Sequence, residues 1–130
     1  MEKEDVLLGD ALCAAAKDGD IPEVERILGK GIGVNFNDQK GCTPLYVACR
    51  YRQTAMARYL IEQGAEVDAL NHNGNTPLYL AASAQSADIV DLLLAAGANP
   101  ALGDRDGNTP QKLARARGYT EIERLLTATH

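Results

Sequence analysis

The chain has 130 residues, enough for one domain with a working core and too few for two. A net charge of −5 argues against wholesale binding to nucleic acid or anionic membrane, and a composition with no Trp and one Phe points to packed helices with an aliphatic core. The acidic start Met1-Glu2-Lys3-Glu4-Asp5 is no signal peptide, no apolar run spans a bilayer, and Cys13, Cys42 and Cys49 make no disulfide framework, so the chain reads as soluble and cytoplasmic, with the nucleus also open to it.

In chain order, the first unit opens with Leu7 and Leu8, and Asp10 stands where a helix N-cap belongs. It places Leu12 and Ala15 on one helix and Ile27 on a second, which Gly31 stops. Asp38-Gln39-Lys40-Gly41 is then a turn. Thr43 follows as an N-cap whose hydroxyl accepts a backbone N–H, with Pro44 at the first helical position, where its missing N–H costs nothing. A second helix carries Leu60-Ile61 and ends at Gly64. The pattern returns as turn Asn71-His72-Asn73-Gly74, cap Thr76-Pro77, apolar stripe Val90, Leu93 and Leu94, and stop Gly97. It returns again as Asp104-Arg105-Asp106-Gly107, Thr109-Pro110 and Leu126.

Thr43-Pro44-Leu45-Tyr46-Val47-Ala48 and Thr76-Pro77-Leu78-Tyr79-Leu80-Ala81 are 33 residues apart, and Thr109-Pro110-Gln111-Lys112-Leu113-Ala114 follows after another 33. Leu12, Leu45 and Leu78 share that register, as do Ile27, Leu60, Leu93 and Leu126. The motif Thr-Pro-Leu-x-x-Ala, Gly-Ala at 64–65 and 97–98, and Val-Asn or Val-Asp at 34–35 and 67–68 resemble the ankyrin repeat over nearly the whole chain. The resemblance implies an all-α ankyrin-repeat solenoid: four stacked helix-turn-helix repeats with β-hairpin finger loops. The units fall at about 5–37, 38–70, 71–103 and 104–130, in one domain over 1–130, of the small stand-alone type. Leading and trailing units with polar positions such as Gln111, Lys112, Arg115 and Glu123 read as caps of a complete stack. The family's His after Thr-Pro-Leu is Tyr46 and Tyr79 here, and the Gly that ends its first helix survives as Gly19 and Gly118 but is replaced by Arg52 and Gln85. Left-handed backbone at those two positions costs about 1 kcal/mol each.

No catalytic constellation is expected. His72 and His130 are isolated, Cys42 and His72 belong to different turns, and Gly29-x-Gly31-x-Gly33 ends a helix instead of following a strand. Glu23/Glu25 and Glu121/Glu123 read as solvated faces. No cofactor, metal, small-molecule substrate, nucleic acid or membrane is expected as a ligand. By resemblance, Asn35 sits where ankyrin units are hydroxylated, although Gly33 replaces the usual acidic residue before the Val.

The resemblance implies a non-catalytic protein-interaction module, an adaptor or inhibitor, monomeric by itself, that meets its partner on a concave face of finger tips and first helices. The alternatives are a regulatory subunit of a larger complex and, behind it, a nucleic-acid-binding groove or an enzyme. By register that face holds Lys17 and Lys30 in the first unit; Gln39, Lys40, Cys42, Arg50 and Tyr51 in the second; His72, Asn73, Asn75 and Ser83 in the third; and Arg105, Asp106, Asn108 and Arg117 in the last. With Asp18, which the register also places on this face, it holds six basic and two acidic residues, so the rest of the chain is more acidic than its total charge suggests. An acidic partner surface or peptide is the expected match, with Arg50 and Tyr51 at its centre.

Overall fold

The computed structural model describes residues 3–128, so His130 lies outside the described residues. All regular structure among them is helical: α1 Lys3–Asp18, α2 Ile21–Leu28, α3 Pro44–Arg50, α4 Thr54–Glu62, α5 Pro77–Ser83, α6 Ala87–Ala95, α7 Pro110–Arg117 and α8 Thr120–Thr127. Each odd-numbered helix packs on the even-numbered one that follows it, and α1, α3, α5 and α7 pack on one another in a row. A second row joins α4 to α6 and α6 to α8.

The core lies between these rows and is built from the residues in register. Leu12, Leu45 and Leu78 from the first row and Ile27, Leu60 and Leu93 from the second are each at most 1% exposed. Ala48, Ala81 and Ala114 are wholly buried, their small side chains admitting the neighbouring helix. No single pair of helices encloses its own apolar face, so stability comes from stacking.

Local chemistry sets the helix ends. The Thr43, Thr76 and Thr109 hydroxyls accept from the N–H groups of Tyr46, Tyr79 and Lys112 at 3.1–3.2 Å, as the Thr-Pro motif predicts. Asp20 caps α2 in the same way, whereas Gln53, Ser86 and Tyr119 give no side-chain cap to α4, α6 and α8. Glycine ends the second helices: at Gly64, φ is +92°, and the N–H of Ala65 closes on the carbonyl of Leu60 at 3.0 Å.

Two expectations change. Asp10 is not an N-cap; it lies inside α1, which begins at Lys3. Glu4 and Asp5 supply the acidic first turn that a helix start favours. Gly9 is buried there, and a Cβ on it would fall 2.1 Å from the Phe36 ring, so the glycine lets that ring seat on the helix. The fingers, expected as β-hairpins, contain no strand among the described residues. Each is a tight loop closed by two backbone bonds, such as Asp38 N–H to the Cys42 carbonyl at 3.0 Å and Gly41 N–H to the Asp38 carbonyl at 2.9 Å. The remaining donors go to the carboxylate or amide side chain at the loop's first position, which leaves no room for a ladder.

Arg52 and Gln85 do adopt left-handed backbone, with φ of +60° and +57°, where Gly19 and Gly118 have +72°. Both are exposed and precede the turn into the second helix. Arg52→Gly and Gln85→Gly are each expected to raise the unfolding free energy by about 0.5–1 kcal/mol, the relieved strain being partly offset by the looser unfolded chain. Urea titration of the two single variants measures this; a loss of stability in both would contradict it.

Candidate partner-binding face

Six of the residues placed by register on the concave face converge on one cleft of about 360 Å³ between α1, α3 and the first finger. Asp10, Cys13 and Lys17 come from α1; Asp38, Gln39, Lys40 and Cys42 come from the finger; Tyr46, Arg50 and Tyr51 come from α3 and its end. Lys17 and Arg50 stand in the last turns of their helices, where cations complement the helix dipole. Tyr51 is 43% exposed, with the Lys17 Nζ 4.9 Å and the Arg50 Cζ 5.6 Å from its ring centroid. This is cation–π geometry on a solvent-facing aromatic. Gln53 ties the two units together below it, its Nε2 donating to the Lys17 carbonyl at 2.8 Å.

The charges of the cleft are unequal. Among the described residues the ion pairs are Arg26 with Glu23 and Arg115 with Glu123, so Lys17, Lys40 and Arg50 have no carboxylate partner. Of the two acids present, Asp38 is engaged: one of its oxygens accepts the N–H groups of Lys40 and Cys42, both at 2.9 Å.

Cys42, expected on the binding surface, lines the cleft but is buried in its wall, with its thiol 3.9 Å from the Lys40 carbonyl. Its N–H must reach Asp38 to close the finger, which turns the side chain inward. Asn75 is likewise half-buried, its N–H on the Asn71 Oδ1 at 3.1 Å and its own Oδ1 shielded and unpaired. Asn108 is exposed, but both its N–H and its amide go to Asp104, which holds that carboxyl below the usual carboxylate range.

The remaining positions do not gather at the cleft. The His72 ring packs on Gly41, where a Cβ would come within 2.1 Å of it, and Arg105 reaches back to the His72 carbonyl at 3.1 Å. These two residues therefore chain the fingers together. Asn73 and Asp106 lie exposed at their tips. Arg117 donates to the Ser83 hydroxyl at 3.1 Å. Lys30 is exposed beyond α2 and does not line the cleft. Asn35, the modification candidate, accepts the Glu66 N–H at 2.8 Å. Sequence reasoning missed Asp10 and Cys13 as cleft walls, although both share a helix face with Lys17. It also missed Asn71, whose Nδ2 donates to the Tyr46 hydroxyl at 2.6 Å.

The thiols are ill suited to nucleophilic chemistry. Burial, and after it the charge of Asp38, push Cys13 up to about 12; burial alone raises Cys49; burial and then Asp38 raise Cys42 against Arg50 and Lys40. Although His72 lies beside Gly41, no hydrogen bond joins it to the Cys42 thiol among the described residues. At pH 7.5, Cys13 and Cys49 are expected to react with iodoacetamide roughly a hundredfold or more slowly than in urea, since the thiolate is the nucleophile. Mass spectrometry of timed samples reads this, and rapid native labelling of either would refute it.

A family model for ankyrin repeats, three copies, matches residues 12–104. The chain belongs to the ankyrin-repeat family. Ankyrin repeats are an interaction fold, and the curated relatives are diverse. Palmitoyltransferase akr1 of Aspergillus oryzae is 35% identical over 48% of this chain, but the match covers only 8% of that enzyme. The potassium channel AKT2/3 of Arabidopsis thaliana is 38% identical over 47% of the chain and 8% of its own length. Protein phosphatase 1 regulatory subunit 27 of Homo sapiens is 37% identical over 45% of the chain and 38% of its own length. The similarity thus spans well under half of each of these proteins. No helix among the described residues is long and apolar enough to cross a membrane.

Proposed function

We propose that this chain is a four-unit ankyrin stack, with units at about 5–37, 38–70, 71–103 and 104–130, that binds a protein partner through the cleft around Arg50 and Tyr51. It acts without catalysis, as a cytoplasmic adaptor or inhibitor, and its partner presents an acidic surface or peptide. One observation carries this reading: Lys17 and Arg50 flank an exposed Tyr51 in a cleft that Lys40 also lines, and among the described residues no carboxylate is paired to any of the three. Arg and Tyr are the residue types that dominate binding hot spots. A regulatory-subunit role is the second reading, favoured by the similarity to protein phosphatase 1 regulatory subunit 27.

Arg50→Ala combined with Tyr51→Ala is expected to weaken partner binding at least tenfold, from a loss of more than about 1 kcal/mol per hot-spot residue. The thermal midpoint should barely move, because both side chains are exposed. Affinity capture from the native cell with wild type and double variant side by side tests it. Proteins retained by wild type and lost from the variant support the cleft; identical recovery would sink it.

A further inference from the structure

Arg117 does not extend freely from the end of α7. It reaches back along the row to the last residue of α5, where its Nη1 donates to the Ser83 hydroxyl. Ser83 stands in α5 where Arg50 stands in α3, 33 residues earlier, and the two helices are direct neighbours. Arg50 and Ser83 therefore sit one helix interval apart, Arg50 with Lys17 at the Tyr51 ring and Ser83 bonded to Arg117. Among the described residues no carboxylate is ion-paired to the cations of either point.

We infer that the partner is an extended peptide carrying two carboxylate side chains three residues apart, one received at Lys17 and Arg50 and the other at Arg117 and Ser83. This rests on the cleft being the binding site. Packed helix axes lie about 8–10 Å apart, and a peptide in the extended polyproline-II form advances about 3.1 Å per residue with three residues per turn, so side chains three residues apart face the same side and bridge the interval. The second point is equipped for a carboxylate. A guanidinium has five N–H donors, and Ser83 takes one bond from it, so the others remain to be directed at an anion. The Ser83 oxygen accepts from Arg117, which leaves its own O–H to donate to the same carboxylate. Separate single charges fit better than one dianion, because Asp10 and Asp38 also line the cleft and repel concentrated negative charge.

The test uses fluorophore-labelled Gly/Ser peptides of equal length and equal charge. Each carries two Glu residues, spaced one, three or seven apart, and a fourth peptide carries one Glu. Anisotropy at low ionic strength is expected to show the three-residue spacing binding at least threefold tighter than the other two. Arg117→Ala should erase that preference while leaving the one-Glu peptide unchanged, and Arg50→Ala should weaken all four. Equal affinity at every spacing, or a preference that survives Arg117→Ala, overturns the two-point inference. If Arg50→Ala still weakens the one-Glu peptide, the cleft itself stands. Absence of binding by every peptide also overturns the inference, and the capture comparison with the Arg50/Tyr51 variant then judges the cleft separately.

Discussion

Leu78→Ala is expected to lower the unfolding free energy by about 3 kcal/mol, within the 2–5 kcal/mol range for truncating a buried leucine. Leu78 is wholly buried on α5, the first-row helix that packs on both α3 and α7. Its loss removes transfer energy and leaves a cavity that the flanking helices, held by their own neighbours, only partly close. Against a typical total of about 5–15 kcal/mol, this is a large fraction of the stability. In a stack whose units hold one another, a weakened middle also loosens the coupling between the two ends. A broader urea transition with a smaller apparent slope should therefore accompany the lower midpoint, by circular dichroism at 25 °C. Leu7→Ala is the control: Leu7 is 61% exposed, and its change should stay within about 0.5 kcal/mol. Equal effects from the two truncations would refute the assignment of the core.

Asn71→Ala is expected to cost about 2–3 kcal/mol, although Asn71 is a loop residue. Its Oδ1 accepts the N–H groups of Asn73 and Asn75, which shapes the finger, and its Nδ2 donates to the half-shielded Tyr46 hydroxyl in the preceding unit. Each hydrogen bond contributes about 1 kcal/mol net, and an orphaned group in a shielded site costs more. Tyr46→Phe removes only the contact between units and should cost about 1 kcal/mol. Asn71→Ala made in the Tyr46→Phe background then separates turn from bridge, because contacting pairs are non-additive. Calorimetric or urea measurement of the three variants decides it. An Asn71→Ala cost no larger than that of Tyr46→Phe would show that the side chain does not hold the finger.

The Tyr46 bridge also marks a limit of reading by register. A tyrosine replacing the family's histidine suggests that its hydroxyl takes over a bond between units, and at Tyr46 it does. At Tyr79 the same substitution has no such bond among the described residues. Position 104 there is Asp, not Asn; it has no N–H to give, and Asp106 and Asn108 engage its oxygens. One atom on a neighbour 25 residues away separates the two outcomes.

The cleft was legible only in part. Lys17, Gln39, Lys40, Arg50 and Tyr51 were placed on one face by their positions in the period, and they meet there. Cys42 and Asn75 follow the same period, yet closing each finger demands their backbone N–H groups, and Cys42 is buried in the cleft wall while Asn75 is half-buried. His72 and Arg105 are exposed and polar, which marked them for a partner, but each is in contact with the preceding finger. A period specifies which face a residue occupies; it does not tell whether a neighbouring loop will use that residue first.

What the sequence determined by itself was everything governed by interactions within one unit. Thr-Pro starts a helix because a hydroxyl and a missing N–H solve the same end problem locally. Glycine stops one because it takes positive φ freely, and the 33-residue register of Leu, Ile and Ala selects the buried stripe. Even the strain at Arg52 and Gln85 follows from their place in the repeat. The tertiary structure decided what depends on two units at once: α1 running through Asp10, the Phe36 ring over Gly9, Arg117 bent back to Ser83, and Lys17 and Arg50 at Tyr51 with no ion-paired acid among the described residues. Those outcomes turn on distances between side chains far apart in the chain, which stacking sets and no local pattern encodes.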